Sequence, residues 1–148
     1  VTGCYICEKN ADVAALQVWE QIHIDDAWRL THAFDASLPG WLILVPQRHV
    51  EGLHELTSEE AEGLGRLLRA ASVALIDATG CERTYVILFA EAEGFFHLHF
   101  HIVPRHSELT PAHRGPGVFA YLGAPQEQRV PEKDRAILAL RLQRALDR

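Results

Sequence analysis

Phe96-His97-Leu98-His99-Phe100-His101-Ile102-Val103-Pro104-Arg105 sets three histidines at every second position with bulky apolar residues between them. Successive side chains of a strand point to opposite faces, so this spacing puts His97, His99 and His101 on one face and Phe96, Leu98, Phe100 and Ile102 on the other. One face packs a core while the other presents a row of ring nitrogens. Neighbouring imidazoles on that row would stand roughly 6.5–7 Å apart, within reach of one phosphate or one metal ion. The chain holds nine histidines in 148 residues. A third of them fall within these five positions, which points to function rather than to a strand face that happens to carry histidine.

Outward from this strand the hydrophobic period changes in a readable order. Tyr85 to Phe89 and Phe95 to Val103 alternate as strands, with Glu91-Ala92-Glu93-Gly94 as the turn between them. Thr57-Ser58-Glu59-Glu60 is a capping-box pattern, and Ala61, Leu64, Leu68, Ala71 and Leu75 recur at helical spacing until Gly80 ends the run. Residues 18–24 and 27–33 read as two strands joined at Asp25-Asp26, and Trp41 to Val45 as a short apolar strand closed by Pro46. The order predicts an α+β fold, an antiparallel sheet with one long central helix packed on it.

Residues 107–130 carry three prolines and three glycines with little periodicity and read as an irregular excursion. Pro131 then opens a C-terminal helix with Leu138, Leu142, Ala145 and Leu146 in a stripe, for packing on its own domain or for a dimer contact or specificity element. A chain of this length buries one substantial core. Residues 1–148 are therefore expected to form a single domain, with its core over about 4–106 and the irregular segment and C-terminal helix over 107–148.

A formal net charge of −6 with dispersed Lys and Arg argues against polymeric nucleic acid as a partner, because a phosphate backbone calls for a continuous basic surface. No apolar run approaches the ~20 residues of a membrane helix, and nothing before Cys4 reads as a secretory leader. The expectation is a soluble, cytoplasmic protein. Methionine is absent even at position 1, so the numbering is expected to begin after a removed initiator or tag.

Neutral imidazole is a good nucleophile near pH 7, and a histidine can split phosphoryl or nucleotidyl transfer into two displacements. Adjacent imidazoles disfavour each other's protonation, which keeps the nucleophile neutral. His99, flanked on both sides, is the position from which a phosphate can be contacted from two directions. Cys4-Tyr5-Ile6-Cys7 has the spacing of a zinc half-site, with two reduced thiols as the alternative. Cys81 has no partner in view and reads as a buried thiol.

The run His97-Leu98-His99-Phe100-His101-Ile102-Val103 resembles the signature of the histidine-triad (HIT) family of nucleotide hydrolases and transferases, H-x-H-x-H followed by two apolar residues. Pro104-Arg105 is similar to the bacterial members that resemble diadenosine polyphosphate hydrolases. Gly40-Trp41-Leu42-Ile43-Leu44-Val45-Pro46-Gln47-Arg48-His49 is similar to the family's G-H-x-L-V-I-P-K-x-H strand, with Trp41 where histidine is usual. Ile24 to Trp28 leading to Ala33-Phe34-Asp35 resembles the family's first hairpin, so the likeness covers about residues 4–106.

The resemblance implies a HIT-like fold, a purine nucleotide as small-molecule substrate, and a homodimer. It implies that His99 attacks the α-phosphate to form a nucleotidyl-histidine, while His101 binds the phosphoryl oxygens or assists the leaving group. It places Asp35 at the ribose hydroxyls, with a turn aspartate as the alternative. Arg105 and Arg48 would neutralise a polyphosphate tail, or stand as solvated surface residues. It implies that His49 and His97 join Cys4 and Cys7 around a structural zinc, with His54 a weaker rival to His49. His23, His32, His106 and His113 are read as structural or surface residues.

The chain departs from the family just before the triad. Leu88-Phe89-Ala90-Glu91-Ala92-Glu93-Gly94-Phe95-Phe96 has neither the asparagine nor the G-Q-S or G-Q-T stretch that holds the phosphate in other members. Glu91 and Glu93 would point away, hold a divalent cation that bridges the phosphates, or select a cationic leaving group. Three functions stay open. One is hydrolysis or transfer at the α-phosphate of a dinucleoside polyphosphate or nucleoside phosphoramidate; another is a nucleotide-binding module of low turnover; the third is an H-x-H metal-dependent hydrolase.

Overall fold

The computed structural model describes residues 1–147. The elements are α1 (Tyr5–Ala11), β1 (His23–Ile24), β2 (Trp28–His32), β3 (Leu42–Pro46), α2 (Ser58–Thr79), β4 (Arg83–Ile87), β5 (Phe100–Arg105) and α3 (Glu132–Leu146), with short 3-10 turns between them. The strands form one five-stranded antiparallel sheet in the order β1-β2-β3-β5-β4. This is the expected α+β architecture.

Local chemistry explains the boundaries. The Thr57 side chain accepts from the Glu60 N–H while Glu60 accepts from the Thr57 N–H, which satisfies two free donors at the start of α2. Gly80, at φ 72°, closes that helix in the left-handed conformation that favours glycine. Asp25 turns the first hairpin by accepting from the Ala27 and Trp28 N–H groups at 2.8 Å.

Alternation along the sheet separates two faces. Leu30, Leu42, Leu44, Phe100 and Ile102 pack the main core, together with Leu64 and Leu75 of α2 and Leu138, Ala139 and Leu142 of α3. The C-terminal helix therefore packs on its own fold. Arg29, Thr31, Ile43, Val45 and His101 point to the opposite face, where the functional site lies.

Two strand expectations are corrected. Residues 18–24 are not one strand: Val18–Glu20 form a 3-10 turn because the Glu20 carboxylate turns back to accept from the Gln17 N–H at 2.9 Å, and only His23–Ile24 pair with β2. The triad strand starts at Phe100 rather than Phe95. The Pro46 carbonyl, level with the missing part of the ladder, accepts instead from the His97 ring at 2.8 Å, and Leu98 makes a single bond to the Val50 carbonyl. With no ladder to hold it down, Phe96 is 50% exposed, whereas Leu98, Phe100 and Ile102 are buried as expected.

Candidate functional site

His97, His99 and His101 are all buried, and each ring has one nitrogen already engaged by a partner that fixes its tautomer. The His99 Nδ1 lies 2.8 Å from the His97 carbonyl. A carbonyl only accepts, so Nδ1 carries the proton and Nε2 keeps a free lone pair. At His101 the polarity is reversed. The Trp41 indole N–H, which only donates, reaches the His101 Nδ1 at 3.0 Å, so the proton of the neutral ring sits on Nε2.

Burial holds all three imidazoles below the usual histidine range. His101 is pushed down to about 4 by burial and then by the neighbouring His99, and His97 to about 4 mainly by burial. His99 is lowered by burial, opposed by its bond to the His97 carbonyl. Neutral rings near pH 7 are what a nitrogen nucleophile requires.

His99 and His101 open onto a cavity of about 370 Å³ on the face of the sheet away from α2. One aromatic group, Tyr5, Phe34 and Phe95, has ring centroids 5.3 and 5.5 Å apart. The other, Trp41, Phe89 and Phe119, is joined through Phe119, and Trp41 and Phe119 stand 5.7 and 5.4 Å from the His101 ring. Asp35 lines the cavity, and its carboxylate makes no hydrogen bond or ion pair among the described residues. Lys9 and Arg29 also line it but are engaged: Lys9 pairs with Glu20 at 2.6 Å, and Arg29 donates to Asn10 and the Glu20 carbonyl at 2.7 Å. Glu91 reaches the cavity wall, while Glu93 does not.

Arg105 is drawn to Glu82 at 2.6 Å and does not line the cavity, and Arg48 is held by Glu60 and the Glu55 carbonyl. His32, read from sequence as structural or surface, is buried and lines the cavity. Its Nδ1 donates to the Ala33 carbonyl at 2.8 Å and its Nε2 accepts from the Gly40 N–H. Phe119 and Leu122 come from the irregular segment and carry no periodicity that would mark them in advance. Tyr5 and Ile6 are the residues between the two cysteines of the C-x-x-C pair.

The ligand atoms of Cys4, Cys7, His49 and His97 all lie within 4.8 Å of one another. His97 donates from Nε2 to the Pro46 carbonyl, so its Nδ1 lone pair faces Cys4 at 3.6 Å and Cys7 at 3.5 Å, and the His49 Nδ1 stands 3.2 Å from the Cys7 sulfur. Two sulfurs, two imidazole nitrogens and a backbone carbonyl that orients one of them match the donor chemistry of a closed tetrahedral zinc site. His54 is exposed and outside the cluster. Cys81 is buried and unpaired, as expected.

No curated protein matches the chain. Among solved structures, a HIT-like protein involved in cell-cycle regulation from Bartonella henselae is 20% identical, with TM-score 0.70 over 93% of this chain and 92% of that one. A zinc-bound histidine triad family protein from Mycobacterium smegmatis is 17% identical, with TM-score 0.71 over 97% and 93%. A histidine triad protein from Sinorhizobium meliloti is 26% identical, with TM-score 0.70 over 84% and 87%. The HIT domain profile matches residues 20–108, more than half of the sequence and the part that holds the triad. The chain belongs to the HIT domain family of nucleotide-binding hydrolases and transferases.

Proposed function

We propose that the protein hydrolyses or transfers a purine nucleotide at its α-phosphate through a covalent nucleotidyl-His99. The observation that carries this reading is the tautomer of His99: its Nδ1–H is spent on the His97 carbonyl, and its Nε2 lone pair opens onto the cavity. As Nε2 bonds to phosphorus the ring becomes cationic, and the carbonyl at Nδ1 stabilises that charge. Tyr5, Phe34 and Phe95 form the apolar slot for the base, and the unengaged Asp35 carboxylate accepts from the ribose hydroxyls. With the family's asparagine absent, the phosphate is held by His101 and backbone N–H groups. For a polyphosphate substrate, Glu91 is the carboxylate placed to hold a bridging divalent cation.

Cys4, Cys7, His49 and His97 are the residues that would hold one zinc ion, which supplies a structural clamp rather than a catalytic site. The family's habit supports a homodimer. The H-x-H metal hydrolase is disfavoured, because His97 faces the cysteines and His101 carries its ring proton on the nitrogen toward the cavity, with no lone pair there for a metal. No helix among the described residues is long and apolar enough to cross a membrane.

The test is trapping. Protein quenched in alkali during turnover of a diadenosine polyphosphate should carry an adenylyl group on the peptide containing His99, and acid should release it. His99→Asn should lower turnover by at least ~10⁴-fold while nucleoside monophosphate still binds. Retained turnover in that variant contradicts the mechanism. Tight nucleotide binding by the wild type with no turnover favours the binding module.

A further inference from the structure

We propose that Trp41 is a positioning residue that locks His101 as a hydrogen-bond donor unable to act as a general acid, so that the site expels leaving groups that depart as weakly basic anions. The leaving-group part rests on the reading of His99 as nucleophile; the tautomer part stands on geometry alone. Trp41 is fully buried, and its indole N–H meets the His101 Nδ1 at 3.0 Å. Its ring and that of Phe119 stand edge-on around the same imidazole, at centroid distances of 5.7 and 5.4 Å. Indole nitrogen has no acceptor lone pair, so the two can bond only while the His101 Nδ1 is unprotonated.

General acid catalysis by His101 would need an imidazolium, with protons on both nitrogens. The proton on Nδ1 would then face the indole N–H in a dry aromatic sleeve, two donors with no acceptor between them. The neutral ring cannot substitute, because giving up its Nε2 proton would leave an imidazolate. His101 therefore keeps that proton and directs it at a non-bridging phosphoryl oxygen, as a fixed dipole where negative charge gathers.

In the first displacement the His99 Nε2–P bond forms, the bond from phosphorus to the leaving atom breaks, and the leaving group takes the electron pair as an anion. In the second, a water oxygen bonds to phosphorus, the electron pair of the P–N bond returns to the His99 Nε2, and the water proton passes to solvent. Neither step moves a proton through His101. The ring packed against His101 agrees with this: Phe119, with its centroid 5.4 Å away, supplies no proton to an amine. The fitting substrate class is a nucleoside monophosphate joined to a group whose conjugate acid is strong, such as a carboxylate or an acidic phenol.

Two measurements decide it. The first is a long-range ¹⁵N–¹H correlation spectrum of histidine-labelled wild-type protein near neutral pH, with His101 assigned by comparison with His101→Gln. It should show the proton on Nε2 alone, and a proton on Nδ1 overturns the inference whatever the kinetics show. The second is kcat/KM for aryl esters of adenosine monophosphate spanning a range of phenol acidity. Wild type should slow steeply as the phenol becomes less acidic. Trp41→Phe keeps an aromatic ring but frees Nδ1, so it should narrow the gap between good and poor leaving groups by about 10²-fold or more, the size of a general-acid contribution. Equal slopes in the two proteins overturn the inference, because a merely structural role for Trp41 would slow all esters alike. Absence of any adduct on His99 in the same incubations refutes the nucleophile and the leaving-group half with it, while the spectrum still decides the tautomer.

Discussion

Every histidine in the cavity has one nitrogen already spent on the protein, and which nitrogen it is decides what the ring can do. His99 donates inward and offers a lone pair, His101 accepts inward and offers a proton, and His32 bonds at both nitrogens and offers neither. His32 instead sets a pH limit on the fold. Its pKa is pushed down to about 4 by burial, from 6.5 in an exposed histidine. Below the unfolded value the unfolded chain takes up a proton that the native ring refuses, so stability falls as pH drops from 6.5 toward 4. Between pH 7.5 and pH 5 this one ring should remove about 2 kcal/mol from the unfolding free energy, a loss that His32→Asn should not share. Urea denaturation of both proteins at the two pH values checks it, and parallel losses would contradict it. His99 and His101 line the cavity, as their period-two spacing suggests, and Asp35 lies there as the resemblance to the family's first hairpin implies, while the roles of all three rest on the proposal. His32 and Trp41 were visible only as residue types, since their roles depend on which hydrogen bond each ring completes across strands.

α1 ties the cysteine–histidine cluster to the cavity. Its N-cap is Cys4, and Tyr5 and Ile6, between the two cysteines, line the cavity. An ion held by Cys4, Cys7, His49 and His97 would pin this helix to the end of β3 and to the segment before β5, and binding energy of that kind is folding energy. Metal-replete protein should contain one zinc per chain by elemental analysis. Cys4→Ser should lower the melting temperature and weaken nucleotide monophosphate binding more than it slows the chemical step. An unchanged melting temperature would contradict this. α2 and α3 were readable because their hydrophobic periods are long and regular, whereas α1, only seven residues long, shows none. The end of the triad strand was not readable, since period-two spacing persists through His97 and His99 although their backbone leaves the ladder. The side chain of His97 takes the Pro46 carbonyl, and alternation cannot report that exchange.

The two faces of the sheet divide the labour of the molecule. One carries the core that α2 and α3 close, and the other carries the cavity, walled by α1 on one side and by the irregular segment before α3 on the other. That segment looked like a surface excursion because it lacks periodicity, yet Phe119 completes the sleeve around His101. α3 is part of the core, and Leu142 is fully buried in it. Leu142→Ala should cost roughly 2–5 kcal/mol in chemical denaturation while kcat stays near wild type at a temperature where the variant is folded. A cost near zero would mean that α3 is dispensable. The proposed reaction leaves its record at phosphorus. Two in-line displacements through His99 invert that centre twice, whereas a single attack by water inverts it once. Turnover of a substrate made chiral at the α-phosphorus with oxygen isotopes, in isotopically labelled water, should give nucleoside monophosphate with net retention; net inversion would contradict the covalent route.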